Sequence, residues 1–359
     1  MADTHAFLEA LKQRAPWVDE LLLAPELLHR VQPPHLQRLV AAYLERGGKR
    51  LRPAVLLLCC GAVGGDEKHA LPAAAALELF HTWTLMHDDI IDHDALRRGG
   101  PSGHALGAQL AAADIGLTGP AAEHYGVSLA MLAGDVQHGL CVNLFLNCTN
   151  PNPALVMQLA ADLELNVLCD LVEGETIDIQ LADRPIEAVD LDETIRMMYL
   201  KTGALYEFAG KAGAMLGLNT TDEKHPHVDA LRRFCASCGI AFQLQDDILG
   251  VVGTQEKLGK PVGSDIIEGK RTPVLLEAYA RADQAQRTEL LRVVGNPEAT
   301  DQQVRRTIAT IVELGAVQAV QAMARERIEE AHTALAAVPS SRYTRWLAGW
   351  AHYMIERDF

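Results

Sequence analysis

Aspartates placed inside otherwise apolar stretches constrain the fold of this 359-residue chain more than any other feature of its sequence. One group is the segment 88–92, which reads Asp-Asp-Ile-Ile-Asp, and the other is the pair at 246–247. On a helix Asp88 and Asp92 lie one turn apart on the same face, where like charges repel or take up protons unless cations bridge them. We therefore predict helices whose acidic faces line a metal-binding cavity.

The ligand types indicate which metal this cavity would hold. Oxygen ligands one turn apart, with no cysteine or histidine pair on the same face, favour Mg²⁺ over zinc, and Mg²⁺ commonly shares its ligands with phosphates and water. A diphosphate ligand is thus implied. A solvated acidic helix end is the alternative for segment 88–92 taken alone, because Asp94 and 97–99 resemble a helix terminus. The second acidic pair in an apolar helix favours the metal site.

The rest of the chain shows helical periodicity, and strand signals are nearly absent. Clusters of Gly, Pro and Asn act as stop signals and divide the chain into about ten helices or more. The predicted helical segments are 72–94, 154–181, 192–216 and 228–252, with three more between 273 and 357. No linker or repeat is evident, so we predict an all-α fold forming a single domain over residues 1–359, a large helical bundle around a central cavity.

Composition excludes several classes of function. A formal net charge of −15 argues against a nucleic-acid or anionic-membrane surface. The apolar runs 53–65 and 71–80 are shorter than a bilayer span, and the first residues lack a leader pattern, so we expect a cytoplasmic protein without an integral membrane segment. Seven cysteines scattered among apolar neighbours indicate reduced core residues, and Cys235 and Cys238 lack the partners of a zinc site.

Basic residues form local clusters despite the negative net charge. Guanidinium groups bind phosphate oxygens in pairs and lysines add point charge, so such clusters could hold one diphosphate directly while metal holds another. These clusters include Lys49 and Arg52, Arg97 and Arg98, Lys201, Lys260, and Lys270 with Arg271.

Together these strings resemble the trans-isoprenyl diphosphate synthases of the polyprenyl synthetase family. The matching strings, in the family's order, are Gly47-Gly48-Lys49, Asp88-Asp89-Ile90-Ile91-Asp92, Arg97-Arg98-Gly99, Gly134-Asp135, Lys201-Thr202, Phe242-Gln243, Asp246-Asp247, Gly263-Ser264-Asp265 and Lys270-Arg271-Thr272. The resemblance implies an isoprenoid synthase bundle, a homodimer, and condensation of isopentenyl diphosphate with an allylic diphosphate.

The resemblance also implies roles for the matching residues. Asp88 and Asp92 would ligate two Mg²⁺ ions on the allylic diphosphate and Asp246 a third, with Asp89 and Asp247 supporting these ligands. The residues implied for isopentenyl diphosphate are Lys49, Arg52, His81 and Arg98, those for the allylic diphosphate are Arg97, Lys201 and Lys260, and those near the developing cation are Thr202 and Gln243. Metal and basic groups would stabilise the departing pyrophosphate, and a dry pocket would protect the cation from water.

The sequence departs from the commoner family pattern in three places. A third aspartate one turn after Asp246 is replaced by Gly250, which is expected to weaken the third metal site unless Asp265 contributes from the following loop. The family's Gly-Gln reads Gly-Glu at 174–175, which is expected to alter a polar contact of the cavity. The connection 101–134 is longer than is usual in the family and is expected to lie at the rim of the cavity.

Product length is predicted from the residues before the first acidic segment. In the family, large side chains there form the floor of the tunnel that holds the growing chain. Phe80 and Trp83 are spaced to touch, so they are predicted to form this floor, with ordinary core packing as the alternative. A bulky residue five before Asp88, with Thr84 beside it, resembles the geranylgeranyl (C20) type, and a farnesyl (C15) or longer product is the alternative.

Two other functions remain open at this stage. A class I terpene cyclase would ionise a prenyl diphosphate without isopentenyl diphosphate, but such an enzyme has no use for the basic set of Lys49, Arg52 and Arg98. A non-catalytic partner subunit of a heteromeric synthase would tolerate Gly250, but the complete first acidic segment argues against it.

Overall fold

A computed structural model describes residues 2–150, 152–253 and 262–356. Within these residues the chain is helical apart from one pair of two-residue strands, which confirms the predicted all-α class. In chain order the helices and strands are α1 Ala2–Leu22, α2 Pro25–Leu28, α3 Pro34–Glu45, α4 Leu51–Ala62, α5 Glu67–Ile91, β1 Leu96–Arg97, β2 Gly100–Pro101, α6 Gly103–Ile115, α7 Pro120–Leu146, α8 Pro153–Asp162, α9 Leu168–Asp183, α10 Leu191–Met198, α11 Ala204–Leu218, α12 Pro226–Val252, α13 Ser264–Ile267, α14 Pro273–Arg281, α15 Gln284–Leu291, α16 Asp301–Glu313, α17 Ala316–Leu335 and α18 Arg342–Glu356.

The chain divides into two compact units, each built from separate parts of the sequence. The N-terminal unit comprises Ala6–Ala160 with Ala212–Asp222, and the C-terminal unit comprises Met1–His5, Ala161–Lys211 and Glu223–Phe359. The first acidic segment therefore belongs to the N-terminal unit and the second to the C-terminal unit. The single domain over residues 1–359 stays a prediction.

Helix α7 is the centre of the N-terminal unit, because α3, α5 and α6 all pack against it. Helix α5 is preceded by the N-cap residue Asp66, whose carboxylate accepts a hydrogen bond from the Lys68 backbone N–H at 3.0 Å. The alanines of 73–76 are fully buried in α5, and their small side chains let neighbouring helices approach closely. This packing fixes the end of α5, where the first acidic segment lies.

Helix α12, which carries the second acidic pair, packs chiefly against α17 in the C-terminal unit and also contacts α14 and α18. The core around α12 is apolar, and the fully buried side chains of this core include Leu244, Val274, Ile311 and Val320. Because these residues anchor one face of α12, its acidic residues are held on a rigid element rather than on a loop.

Two π-helical segments interrupt the helices of the C-terminal unit, at Leu163–Val167 and at Tyr199–Gly203. A π segment shifts the side chains that follow it, and such segments are frequent at functional sites. The second one carries Lys201 and Thr202 and lies close to α9, since a Cβ atom at Gly174 would stand 2.9 Å from the Leu200 carbonyl carbon. Glycine is thus required where α9 crosses this segment.

The helices of residues 273–357 are more numerous than predicted. The sequence predicts three, but the described part of this range contains five. The additional breaks have local causes: Asp283 and Thr300 each close a capping box, and Gly315 adopts a left-handed conformation with φ of 74° before α17. The prediction of three was wrong because these short capped helices share one continuous apolar pattern.

Helix α7 is the one described helix that is by itself long and apolar enough to cross a membrane, with a mean hydropathy of 1.3 over 18 residues. Helices α16 and α17 pass the same test only as a pair bent by 60°. Of the α7 window, 39% is buried within the chain, where α5 and α6 pack against it. A core helix meets the same criteria, so this finding is weak evidence for a membrane span.

Close helix contact in the N-terminal unit predicts a position-specific effect of adding one methyl group to α7. A Cβ atom at Gly126 would lie 2.8 Å from the Ala108 backbone nitrogen and nearer still to the His104 carbonyl oxygen. We expect Gly126→Ala to lower the free energy of unfolding by about 1–3 kcal/mol, because backbone atoms of α6 cannot yield as a flexible side chain would. Urea unfolding followed by circular dichroism measures it.

Gly139→Ala is the matched control, because Gly139 lies on the same helix with no atom within 4 Å of an added Cβ atom. Alanine is favoured over glycine in helices, so this variant should be more stable by up to about 1 kcal/mol. Equal changes in the free energy of unfolding for the two variants would show that the close approach of α6 does not exclude a methyl group at position 126.

Candidate active site

The first acidic segment lies at the C-terminal end of α5, and its three aspartates are in different environments. Asp88 is half-buried, Asp92 is exposed and ends the helix, and Asp89 is completely buried. The Asp92 backbone N–H donates to the Asp88 carbonyl oxygen at 2.8 Å, so the helix geometry continues up to this residue. Asp88 and Asp92 therefore lie on the same side of α5, as the sequence predicts, whereas Asp89 points into the protein.

Asp89 is bound by side chains from two other elements. The Tyr43 hydroxyl donates to one of its carboxylate oxygens, and the Arg97 guanidinium donates to the other. The Gly103 backbone N–H in turn donates to the Tyr43 oxygen at 2.7 Å. Burial raises the pKa of Asp89, and the hydrogen bonds and charge of Arg97 oppose that rise. Asp89 thus fixes the end of α5 to α3 and to the following turn.

A tight hairpin formed by β1 and β2 directs the two adjacent arginines to different partners. Arg98 and Gly99 have φ values of 51° and 73°, as a type I′ turn requires. Arg97 pairs with Asp89 and with Asp94 at 3.1 Å. The Arg98 guanidinium donates to the Tyr43 carbonyl oxygen at 2.7 Å and to that of Gly47. The predicted helix terminus at 97–99 is therefore a β-hairpin, because two consecutive left-handed residues reverse the chain.

Buried Glu78 holds part of the predicted basic set in place. Its carboxylate accepts a hydrogen bond from Arg50 at 2.6 Å and one from Arg98 at 3.3 Å, and Arg50 also pairs with Asp19 at 2.7 Å. Removing either partner would leave a buried charge, which is strongly destabilising. Glu78 and Arg50 were not singled out from the sequence. The feature that could have identified Glu78 is its position in an apolar helix, two residues before Phe80.

His81 is half-buried among four arginines of the N-terminal unit. Burial lowers its pKa well below 6.5, and the charges of Arg52, Arg98, Arg97 and Arg50 lower it further. The imidazole is therefore neutral at neutral pH, while the guanidinium groups around it are cationic. This concentration of positive charge fits an anion with several oxygens, such as a diphosphate.

The predicted tunnel floor is a cluster of aromatic rings on α5 and α7. The ring centroid of Trp83 lies 5.1 Å from that of Phe80, 5.7 Å from His87 and 5.0 Å from His138. Trp83 is half-buried, but Phe80 is completely buried. Trp83 is thus the residue of the pair that can face a cavity, whereas Phe80 supports it. His87 and His138, which flank the Trp83 ring, were not singled out from the sequence.

The second acidic pair lies near the C-terminal end of α12. Asp246 is half-buried and Asp247 is 7% exposed. The Thr202 hydroxyl donates to the Gln243 side-chain oxygen at 3.2 Å, and the Gln243 amide donates to Asp247 at 3.4 Å. The structure thus brings Thr202 and Gln243 into contact and connects them to Asp247, while their predicted place beside the developing cation stays a prediction. Burial raises the pKa of Asp247 well above its ordinary value, and the charges of Asp265 and Asp246 add to the rise.

Lys201 lies between two carboxylates of α9. Its Nζ atom is 2.6 Å from Asp178 Oδ2 and 2.7 Å from Glu175 Oε2. Glu175 is the residue that departs from the family's Gly-Gln pattern, so this departure adds an anionic partner to Lys201. The cavity contact that the sequence analysis expected to change is therefore an ion pair with Lys201.

Gly250 leaves space for a carboxylate from α13, the short helix that follows α12 in the described chain. A Cβ atom at Gly250 would lie 2.8 Å from Asp265 Oδ2. The Gly263 backbone N–H donates to the Gly250 carbonyl oxygen at 3.0 Å, which holds the start of α13 against α12. Lys260, the remaining predicted basic residue, lies outside the described residues.

The acidic residues of each unit fit Mg²⁺ better than a metal that needs a complete protein cage. Within the described ranges no three His, Cys, Asp or Glu side chains converge as a ready metal site. Mg²⁺ keeps several waters and takes one or two carboxylates together with substrate phosphates. The buried Asp247 Oδ2 atom has no hydrogen-bond partner among the described atoms, an arrangement that a nearby cation would stabilise.

These features define a helical protein with carboxylate pairs suited to Mg²⁺ and a guanidinium cluster suited to diphosphate. The model of the polyprenyl synthetase family matches residues 33–311. The chain belongs to this family and is a trans-prenyltransferase. Its all-α fold is the isoprenoid synthase fold of its structural relatives.

The similarity to individual relatives extends over nearly the whole chain. A geranylgeranyl pyrophosphate synthase of Geoglobus acetivorans is 33% identical over 98% of this chain and 99% of its own. The structure of the Pyrococcus horikoshii geranylgeranyl pyrophosphate synthetase has a TM-score of 0.84 and 31% identity, covering 98% of both chains. The Corynebacterium glutamicum geranylgeranyl pyrophosphate synthase, in complex with isoprenyl diphosphate and magnesium, has a TM-score of 0.81 and 28% identity, again covering 98% of both chains.

The neutral state of His81 predicts a pH-dependent contribution to stability. As pH falls below about 6.5, the unfolded chain binds a proton at His81 that the folded chain does not, so acidification lowers the free energy of unfolding by up to about 1.4 kcal/mol per pH unit from this residue alone. Above pH 6.5 the contribution is constant. We expect His81→Gln to lose less stability between pH 7.5 and pH 5 than the unchanged protein, measured by urea unfolding.

His124→Gln is the control for this measurement, since His124 is an exposed histidine of α7 in the same unit. Its stability should follow the pH dependence of the unchanged protein. If His81→Gln and His124→Gln show the same pH dependence, His81 is not held neutral by its arginine neighbours.

Proposed function

We propose that this chain condenses isopentenyl diphosphate with allylic diphosphates in successive head-to-tail steps and releases geranylgeranyl diphosphate (C20). The observation that carries the proposal is the neutral His81 within the arginine cluster of the same unit that presents Asp88 and Asp92. A terpene cyclase needs one diphosphate site, whereas this unit offers both a carboxylate pair for metal and a separate basic cluster. The names of its relatives support the C20 product.

The basic cluster is proposed to bind isopentenyl diphosphate directly. Lys49, Arg52 and Arg98 would supply positive charge, and neutral His81 would donate or accept one hydrogen bond without adding charge. The carbonyl oxygens and Glu78 that hold Arg98 restrict its side chain before the ligand arrives. Less conformational entropy is then lost on binding than for an exposed arginine.

The allylic diphosphate is proposed to bind with three Mg²⁺ ions, two held by Asp88 and Asp92 and one by Asp246. When bound, Mg²⁺ would act as a Lewis acid that stabilises charge on the leaving pyrophosphate. Arg97, Lys201 and Lys260 are proposed to contact the same diphosphate. Asp89 acts through its position, because its hydrogen bonds to Tyr43 and Arg97 fix the end of α5.

Thr202 and Gln243 are proposed to lie beside the allylic carbon that becomes cationic. The Gln243 side-chain oxygen accepts a hydrogen bond from Thr202, while its amide donates to Asp247, so the orientation of both groups is fixed. Oxygen dipoles fixed in this way can stabilise a cation at no cost of reorganisation. The chain needs no nucleophilic side chain, because the isopentenyl double bond supplies the electron pair.

We also propose a homodimer. Helix α7 exposes Met131, Leu132 and Leu146 at 48%, 54% and 53%, and α9 of the other unit exposes Val172 and Ile179 at 50% and 48%. Exposed apolar side chains along one helix favour burial against a partner. Analytical ultracentrifugation of the purified chain should give twice the monomer mass of 39.0 kDa. A monomer at micromolar concentration would contradict the dimer.

The cytoplasmic location of the protein stays a prediction.

The decisive experiment incubates the purified chain with labelled isopentenyl diphosphate, Mg²⁺ and each of the C5, C10 and C15 allylic primers. Chromatography of the dephosphorylated products should show C20 as the principal product from every primer. Farnesyl diphosphate supplied alone is the control and should release no hydrocarbon. Hydrocarbon release would identify a cyclase, and the absence of any product with all primers would identify a non-catalytic subunit.

The ring cluster below the acidic segment predicts a change of product length. Trp83→Ala removes the half-buried ring that packs on Phe80 and His138, which opens space one turn before Asp88. We expect products longer than C20 under the same assay conditions. Trp17→Ala, which removes a tryptophan that is 37% exposed on α1, is the matched control and should leave product length unchanged. An unchanged profile for Trp83→Ala would exclude the floor role.

A further inference from the structure

Arg46, which directly precedes Gly47-Gly48-Lys49, contacts both strands of the β1–β2 hairpin. Its Nη1 atom donates to the Pro101 carbonyl oxygen at 2.6 Å and to the Arg97 carbonyl oxygen at 3.3 Å. Because Arg97 belongs to β1 and Pro101 to β2, one guanidinium group joins both strands to the end of α3. The Arg46 Cζ atom also lies 5.9 Å from the centroid of the Tyr43 ring, where a cation is attracted to the ring face. The hairpin is thus held to α3 through its backbone.

Gly100 provides the space that the Arg46 guanidinium occupies. A Cβ atom at Gly100 would lie 2.6 Å from Arg46 Cζ and 2.7 Å from Arg46 Nε. The backbone at Gly100 does not itself require glycine, because its φ lies outside the left-handed region. Gly99 differs, since its φ of 73° favours glycine and a Cβ atom there would meet no described atom within 4 Å beyond its chain neighbours. Gly99 therefore serves the turn, whereas Gly100 serves the contact with Arg46.

The position of this hairpin matters because it carries two of the arginines proposed to bind diphosphate. The side chains of Arg97 and Arg98 have protein partners of their own, Asp89 for the first and Glu78 for the second. The contacts of Arg46 are of another kind, since they hold the backbone from which both side chains extend. Groups that are held in place before a ligand arrives lose less conformational entropy on binding.

We propose that Arg46 is a positioning residue, which holds the hairpin so that Arg97 and Arg98 meet their diphosphates, and that Gly100 leaves room for it. The inference rests on the proposed function, because it concerns the arginines that bind the two substrates of that reaction. The positive charge of Arg46 would attract a diphosphate from many conformations, whereas positioning requires contact with the hairpin. Positioning is therefore lost whenever the guanidinium is displaced, even if its charge remains.

Binding of inorganic pyrophosphate without metal tests the proposal. Isothermal titration calorimetry on the purified full chain, in a buffer that contains EDTA, measures the affinity of the basic cluster for this anion. We expect Arg46→Ala to weaken pyrophosphate binding by about 10-fold, because two arginines must then be ordered when the anion binds.

Arg38→Gln is the matched control, since Arg38 is an exposed arginine of the same helix. It lies about 12 Å from Arg46 along the helix axis, a distance over which salt screens most of the effect of a surface charge. This variant should bind pyrophosphate within about 2-fold of the unchanged chain. An equal loss of affinity in Arg38→Gln and Arg46→Ala would overturn the proposal, because general positive charge would then explain both.

Gly100→Ala separates the position of Arg46 from its charge. The added methyl group displaces the guanidinium, but the positive charge remains. We expect this variant to lose pyrophosphate affinity by about 3-fold or more, with no further loss when it is combined with Arg46→Ala, because the space is then empty. Unchanged affinity in Gly100→Ala, or losses that add in the double variant, would overturn the proposal in favour of an effect of charge alone.

A purely structural role of Arg46 would give a different result. In that case Arg46→Ala would lower the Tm but bind pyrophosphate as the unchanged chain does, at a temperature where both are folded, and the proposal would be wrong. Thermal unfolding verifies the folding of every variant. Should Arg46→Ala fail to fold, Arg46→Met, which keeps an aliphatic stem beside Tyr43, takes its place in the titration and should show the same loss of affinity.

The pyrophosphate titration and the condensation assay can fail independently. If the unchanged chain forms no product but binds pyrophosphate, and Arg46→Ala weakens this binding, the proposed reaction is wrong and the role of Arg46 toward the anion stands. If the unchanged chain makes C20 product and Arg46→Ala binds pyrophosphate normally, the reaction stands and this inference is wrong. Absence of pyrophosphate binding by the unchanged chain would also overturn the inference, because the hairpin would then hold no anion-binding arginines.

Discussion

The free-energy cost of placing carboxylates inside apolar helices governs both units of this protein. Asp89 and Glu78 meet that cost with guanidinium partners, Arg97 for the first and Arg50 with Arg98 for the second. Asp89 and Glu78 both lie on α5, and their ion pairs hold the segments before and after α5 against this helix. Asp247 on α12 is different, because its second oxygen has no described hydrogen-bond partner. Paired carboxylates hold the scaffold, whereas the incompletely paired Asp247 would be stabilised by a nearby cation.

The same arginines connect structure to ligand binding. Glu78 is shared by Arg50, which is almost completely buried, and by Arg98, which keeps part of its surface exposed. Glu78 and Asp19 compensate the charges of these two arginines, and the neutral imidazole of His81 does not add to the repulsion among the guanidinium groups around it. The N-terminal unit can therefore collect a basic cluster in a chain of net charge −15 without destabilising itself.

Sequence reasoning predicted the helical class and the helices that carry the acidic motifs, because long periodic segments with strong caps are specified locally. It did not predict the five helices after residue 273, since short capped helices repeat one apolar pattern. Among the candidate site residues, motif strings pointed to Asp88, Asp246 and Arg98. They could not identify Glu78 or Tyr43, whose importance depends on contacts with residues far along the chain. The side that Asp89 faces also depends on those contacts.

The left-handed conformation of Arg98 shows which interactions the turn depends on. A non-glycine residue at φ 51° carries a conformational penalty of about 1–2 kcal/mol, which glycine would avoid. Glycine would also remove the guanidinium that pairs with buried Glu78 and donates to the carbonyl oxygens of Tyr43 and Gly47. The turn can therefore carry a strained arginine because the contacts of its side chain offset the cost of its backbone conformation, so that a short hairpin serves as a clamp between three segments of the N-terminal unit.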